Sequence, residues 1–172
     1  LQGDSTSRFS RVHPRVIGEV LPFPGLGRAY LVIFCAFFAF ASLLNFLPFR
    51  LTELADGLGS AAISLMYTGY LMGIAVSRAS GRAVLRFGER RVVTAGLLLF
   101  LAAILLFQVP VVPFLFANMF LLCAGMFLVH SVLPGYVNRL APERRGIVNG
   151  LYGALHSAPS RGGSVLPGLV LA

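Results

Sequence analysis

The sequence predicts an all-α membrane protein, a polytopic helix bundle with about five transmembrane helices. Three observations predict it. Five long apolar stretches, 29–49, 60–80, 92–107, 112–137 and 147–171, are divided by short polar joints. A bilayer core is ~30 Å thick and needs ~20 apolar residues of helix to cross it. Four stretches meet or approach that length, and the last is weaker. The composition agrees, with 57% hydrophobic and only 12% charged residues and a mean hydropathy of +0.84, where a soluble domain is about a quarter charged. Finally, the arginines alternate. The leader and the successive joints hold, in order, four, one, five, none and three arginines, with Arg78 at the end of the second stretch counted in the third. Alternate sides therefore carry twelve against one, with Arg161 set aside. Cytoplasmic loops are the basic ones, so the leader and the loops around 81–90 and 138–145 are expected inside the cell.

Residues 1–28 form a basic juxtamembrane segment broken by Pro14, Pro22 and Pro24, with at most a short helical turn over 16–21. Residues 29–172 are the transmembrane bundle. The first span is rich in Phe, and Pro48 is expected to end it, since proline removes a backbone donor. Arg50, Glu53 and Asp56 fall in the next joint. Ser60 is placed to cap the second span. That span carries Gly69, Gly73, Ser77 and Gly81 at four-residue spacing. Small residues on one stripe let a neighbouring helix approach closely. The segment 78–91 is the most charged. Residues 108–113, with Pro110 and Pro113, are a very short turn, so the third and fourth spans form a hairpin. The fourth ends near Pro134 and Gly135. In the fifth, Pro159, Arg161, Gly162 and Gly163 predict a kink or break between 157 and 163.

Within the third joint the chain reads Gly81-Arg-Ala-Val-Leu85-Arg86-Phe-Gly88-Glu89-Arg90-Arg91. This resembles the cytoplasmic-loop signature of the major facilitator superfamily, G-x-x-x-D-[RK]-x-G-[RK]-[RK]. Gly81, Arg86, Gly88 and Arg90 match, while Leu85 stands at the Asp and Glu89 at the first of the paired basic residues. The signature lies between the second and third helices of each six-helix half and is usually degenerate in the second half. Residues 45–50 resemble the end of the seventh helix in a drug-efflux-like branch, 135–146 the loop between the tenth and eleventh helices, and 162–168 the glycine-rich eleventh. The resemblance implies helices seven to eleven of a secondary transporter, a fragment of its C-terminal half. It implies a small-molecule substrate, with efflux by proton antiport as one form, and a gating role for the signature arginines. The chain starts with Leu and its last apolar stretch reaches Ala172, which fits a fragment whose other half is a partner.

A facilitator binds substrate near the midplane between its halves, so polar residues inside spans are the candidates. These are Asn45, Tyr67, Tyr70, His130, Asn149, Tyr152 and Arg161, with Asn118, Ser131 and His156 beside them. The blander reading of each is an interhelical hydrogen bond. His130 is the candidate for protonation, because imidazole titrates near neutral pH. No carboxylate lies well inside a span.

Other classes find less support. Ser131 or Ser164 with His156 are the residues an intramembrane hydrolase would need, and a non-transporting scaffold is the other alternative. Cys35 and Cys123 read as small apolar core residues without metal-ligand spacing. No cofactor and no metal are expected. The net charge of +8 belongs to headgroups rather than to nucleic acid. All fourteen basic residues are arginine, which with abundant Ala, Gly and Leu points to a bacterial inner membrane protein.

Overall fold

In lipid no water satisfies backbone N–H and C=O groups, so an apolar segment coils into helix and stays helical until something stops it. The computed structural model describes residue 18, residues 23–55 and residues 60–170, with backbone alone at 60, 62, 63 and 158–170. Most of the leader, including nearly all of the expected turn over 16–21, and the acidic joint at Asp56 lie outside the described residues.

The first helix, α1, spans Leu26–Leu54. A second stretch begins with α2, Ser60–Met66, tightens into a 3-10 turn over Tyr67–Gly69, and continues as α3, Tyr70–Phe87. Next come α4, Glu89–Leu106, and α5, Val112–Leu140. After a 3-10 turn at Pro142–Arg144, α6 spans Arg145–Val170. No strand occurs among the described residues. Two of these helices, α1 and α5, are each 29 residues long with a hydropathy of 2.2, long and apolar enough by themselves to cross a membrane.

Several expected boundaries are corrected. Pro48 does not end the first span, and α1 continues well over a turn to Leu54, taking Arg50 and Glu53 with it. A helical proline leaves the carbonyl four residues earlier without its donor. Here that carbonyl is Leu44 O, and the Tyr67 hydroxyl donates to it at 3.5 Å. The charged segment 78–91 is not a loop. Gly81 and Arg86 sit on α3, Arg90 sits on α4, and Gly88 alone joins the two helices. Its φ of +81° is open to glycine at little cost and strained for other residues. Helix α5 runs through Pro134 to Leu140. The break expected between 157 and 163 is absent, since α6 is helical without interruption through Gly162 and Gly163. A helical glycine costs roughly 1 kcal/mol relative to alanine, too little to stop a helix whose backbone has no other partner in lipid.

Helix α5 is the hub, packed against α1, α3, α4 and α6. Its two halves organise two clusters. Leu115, Met119 and Leu122 pack with Leu47, Leu51 and Phe100. Val129, Leu133 and Val137 pack with Ile33, Val148 and Leu151. The outer surface remains strongly apolar, with Leu31, Leu71, Leu98 and Leu105 each more than 60% exposed, a surface suited to lipid rather than water.

The tightest crossing is between α4 and α5. A Cβ on Gly125 would stand 2.5 Å from Phe100 N and 2.9 Å from Gly96 O, so the two backbones touch. The α3 stripe approaches α5 differently. A Cβ on Gly69 would meet Met119 at 2.8 Å, and one on Gly73 would meet the Phe127 ring at 2.6 Å. Ser77 Oγ lies 2.8 Å from Ser131 Oγ. A Cβ on Gly81 would meet nothing within 4 Å, so the stripe's contact ends at Ser77.

Candidate functional site: an aromatic and imidazole cleft

The periodicity of α1 places Phe37, Phe40, Ala41 and Leu44 on one face, spaced i, i+3, i+4, i+7. Met126, Phe127 and His130 face them from α5, Tyr70 from α3 and His156 from α6. Together they line a cleft of about 300 Å³. Among the described residues, no acidic side chain and no arginine lines it.

Its polar end is a small cluster. His130 Nδ1 and the Tyr152 hydroxyl are 3.1 Å apart. The His130 and His156 rings stack with centroids 5.2 Å apart. Phe37 stands edge-on to both, at 5.1 Å from His130 and 4.0 Å from His156. Tyr152 is 8% exposed and sits behind the imidazoles. Tyr152 and His156 are one helical turn apart on α6, which brings them onto the same face. The opposite wall is aromatic. Tyr70 stacks on Tyr67 at 6.5 Å and stands edge-on to Phe40 and Phe127 at 5.9 and 5.8 Å. Such pairs hold rings in fixed orientations.

The structure sorts the sequence candidates. Tyr70, His130 and His156 line the cleft, and Tyr67 and Tyr152 stand directly behind lining residues. Asn149 is elsewhere, where its Oδ1 accepts from Asn138 Nδ2 at 3.0 Å. Asn118 is 4% exposed and donates from Nδ2 to Ala103 O at 2.8 Å, capping the carbonyl end of α4. Ser131 Oγ donates to Phe127 O at 2.6 Å. Asn45 is on the exposed face of α1. The side chains of Arg161 and Ser164 lie outside the described residues. Among the described residues, Ser131 bonds Ser77 and its own helix while His156 packs on His130 and Phe37, so Ser131 and His156 form no hydrogen-bonded pair. Sequence reasoning missed Phe37, Phe40 and Phe127 as cleft walls. The signal was the Phe37-Phe40-Ala41-Leu44 stripe, hidden among fifteen phenylalanines. Of the cysteines, Cys123 is buried, while Cys35 lies exposed on α1 and is corrected from a core residue.

The loop signature is also placed. The Arg86 guanidinium lies over the Phe87 ring at 5.2 Å. Glu89 is the acid that pairs, forming an ion pair with Arg139 of α5, whose Nε donates to Oε2 at 3.2 Å. Arg90 lines a separate cleft beside Arg28.

A family model described as Major Facilitator Superfamily matches residues 29–172. The chain belongs to the Major Facilitator Superfamily, a family of membrane-embedded transporters. A curated relative, an "Uncharacterized transporter" of Buchnera aphidicola subsp. Baizongia pistaciae (strain Bp), is 25% identical over 114 residues. That match covers 66% of this chain and 28% of the relative, so the chain spans well under half of the relative it matches. No solved structure matches the chain at a significant level.

Proposed function

We propose that the chain is helices seven to eleven of a secondary transporter, and that the aromatic and imidazole cleft is this half's share of the substrate path. The observation that carries the reading is the convergence of four helices on one cleft lined by aromatic rings and two imidazoles. Ligand sites are typically concave, mostly apolar, and fixed by a few convergent polar groups. A small, largely apolar compound suits these walls. An N-terminal half closes the other side, and the two halves rock around the bound molecule. The leader and the arginine-rich joints face the cytoplasm of a bacterial inner membrane.

Efflux against proton entry is the form the resemblance favours, and the cleft supports a proton site in it. All six acidic residues of the chain lie outside the five apolar stretches. His130 and His156 are therefore the side chains of the cleft that can carry a proton. In this reading Arg86 and Arg90 bias the inward–outward equilibrium without touching substrate. Gly69, Gly73 and Ser77 hold α3 against α5.

The test uses the complete transporter in proteoliposomes, loaded with a fluorescent apolar dye and a pH-sensitive probe. Dye movement should be accompanied by proton movement the other way. His130→Gln should uncouple the two, and Phe40→Ala should raise the apparent KM for the dye. Wild-type coupling in His130→Gln together with an unchanged KM in Phe40→Ala would remove the cleft from the path.

A further inference from the structure

A second cleft, of about 290 Å³, opens where the arginine-rich ends of α1, α4 and α5 meet. We propose that it binds the headgroup of an anionic phospholipid. Its lining combines the basic Arg28 and Arg90 and the hydroxyl-bearing Thr94 and Tyr136 with the apolar Val32, Val93 and Leu133. A carboxylate, Glu89, also lines it. That charge is engaged by Arg139 through the ion pair described above. Among the described residues three guanidiniums thus stand against one carboxylate, and Arg28 and Arg90 remain for an anion. A phosphate group, with its charge and several acceptor oxygens, matches paired guanidiniums and hydroxyls.

Two apolar stripes lead away from the cleft and decide for a lipid over a soluble phosphate. On α1, Arg28 is followed on the same face by Leu31, Cys35 and Phe38, all exposed. On α4, Thr94 is followed by Leu98, Leu101 and Leu105, all exposed. Spacings of three and four keep each set on one face of its helix. From Thr94 to Leu105 the helix rises ~16 Å, about half of a ~30 Å bilayer core. That is the depth of one leaflet. A polar cleft at one end of a leaflet-deep apolar track fits a headgroup and its acyl chains, whereas inorganic phosphate would use only the cleft. Basic clefts between helices at a membrane surface are a recurrent means of holding anionic headgroups.

The test is native mass spectrometry of the complete protein released from nanodiscs of equal phosphatidylglycerol and phosphatidylcholine. Phosphatidylglycerol adducts should dominate. In Arg28→Gln/Arg90→Gln the preference should fall roughly thirtyfold, the ratio given by ~1 kcal/mol per basic residue and ~1.4 kcal/mol per factor of ten. Arg28→Lys/Arg90→Lys should keep most of it. Arg82→Gln/Arg145→Gln, which removes the same charge away from the cleft, should keep it all. Equal adducts in the wild type, or an equal loss in the off-cleft control, would overturn the site. Displacement of the lipid by excess inorganic phosphate, with phosphate adducts in its place, would overturn the lipid and make the cleft a phosphate site. Circular dichroism of each variant should match the wild type, since both arginines are exposed in the fold.

Discussion

Gly125→Ala should destabilise the bundle even though alanine is the better helix former. Two opposite effects can be sized. Replacing a helical glycine by alanine ordinarily gains roughly 0.5–1 kcal/mol. At Gly125 the new methyl would stand 2.5 Å from Phe100 N, 2.8 Å from Phe100 Cα and 2.9 Å from Gly96 O. All three are backbone atoms of α4, so no side chain can rotate away. Ordinary contact begins at about 3.4 Å, so α4 and α5 must part locally by about 0.9 Å. A gap of 0.5–1 Å forfeits a quarter to a half of each dispersion contact it opens. Overpacking of this kind costs ~1–3 kcal/mol, so the clash outweighs the propensity gain. Gly81→Ala is the internal control, because its methyl meets nothing within 4 Å and should stabilise by the propensity term alone. Unfolding in mixed detergent micelles, followed by circular dichroism, reads both variants. If Gly125→Ala were as stable as Gly81→Ala, the α4–α5 contact would not be as close as described, and the packing argument would fail.

Three further outcomes follow from named contacts. Gly73→Leu should lower both folded yield and transport of the complete protein, since its Cβ would sit 2.6 Å from the Phe127 ring and drive that ring into the aromatic cleft; wild-type yield and activity would count against it. Tyr67→Phe should destabilise by ~1 kcal/mol, the usual net value of a hydrogen bond, by uncovering Leu44 O beside Pro48, and Pro48→Ala should make the two changes less than additive in a double-mutant cycle. Glu89→Gln with Arg139→Gln should show a coupling of only roughly 0.2–1 kcal/mol that shrinks with added salt, because Arg139 is 61% exposed and exposed ion pairs are screened.

What the sequence made legible was the part governed by long-range composition. Five apolar stretches became five helical passages because lipid leaves the backbone no alternative to helix, and the proline-bounded turn at 108–113 became the tight connection from α4 to α5. Boundaries were less legible where a local breaker met a distant partner. Pro48 is a stop signal in sequence, but Tyr67, on the next helical passage, supplies a donor to the carbonyl it orphans. Pro159, Arg161, Gly162 and Gly163 read as a kink or break, but the helix runs on through them, since in lipid little else would satisfy the surrounding backbone. The charged run 78–91 read as a loop, although the reversal needs only Gly88 and its positive φ. Gly96 and Gly125 escaped notice because neither belongs to a four-residue stripe within its own helix. Their meaning comes from each other across the α4–α5 crossing, and a pairing between helices leaves no periodic trace in either one.

The polar residues inside the spans divide by what they bond to, and the division separates scaffold from site. Tyr30 donates to Val148 O at 3.1 Å and Asn118 to Ala103 O. Each ends on a main-chain carbonyl, a partner fixed by the helix that carries it. Releasing such a bond in lipid leaves a donor with nowhere to go, so these residues lock helices in place. The His130–Tyr152 bond joins two side chains, each with donor and acceptor capacity, at the edge of an open cleft. Either group can exchange that bond for one to a ligand or to water without uncovering the backbone. His156 stacks on His130 as a second imidazole at that edge. A residue type that is costly in lipid is therefore structural where its partner is the main chain, and available for chemistry where its partner can be traded. By that criterion the proposed contact with substrate falls on the cluster of His130, Tyr152 and His156 rather than on Asn118.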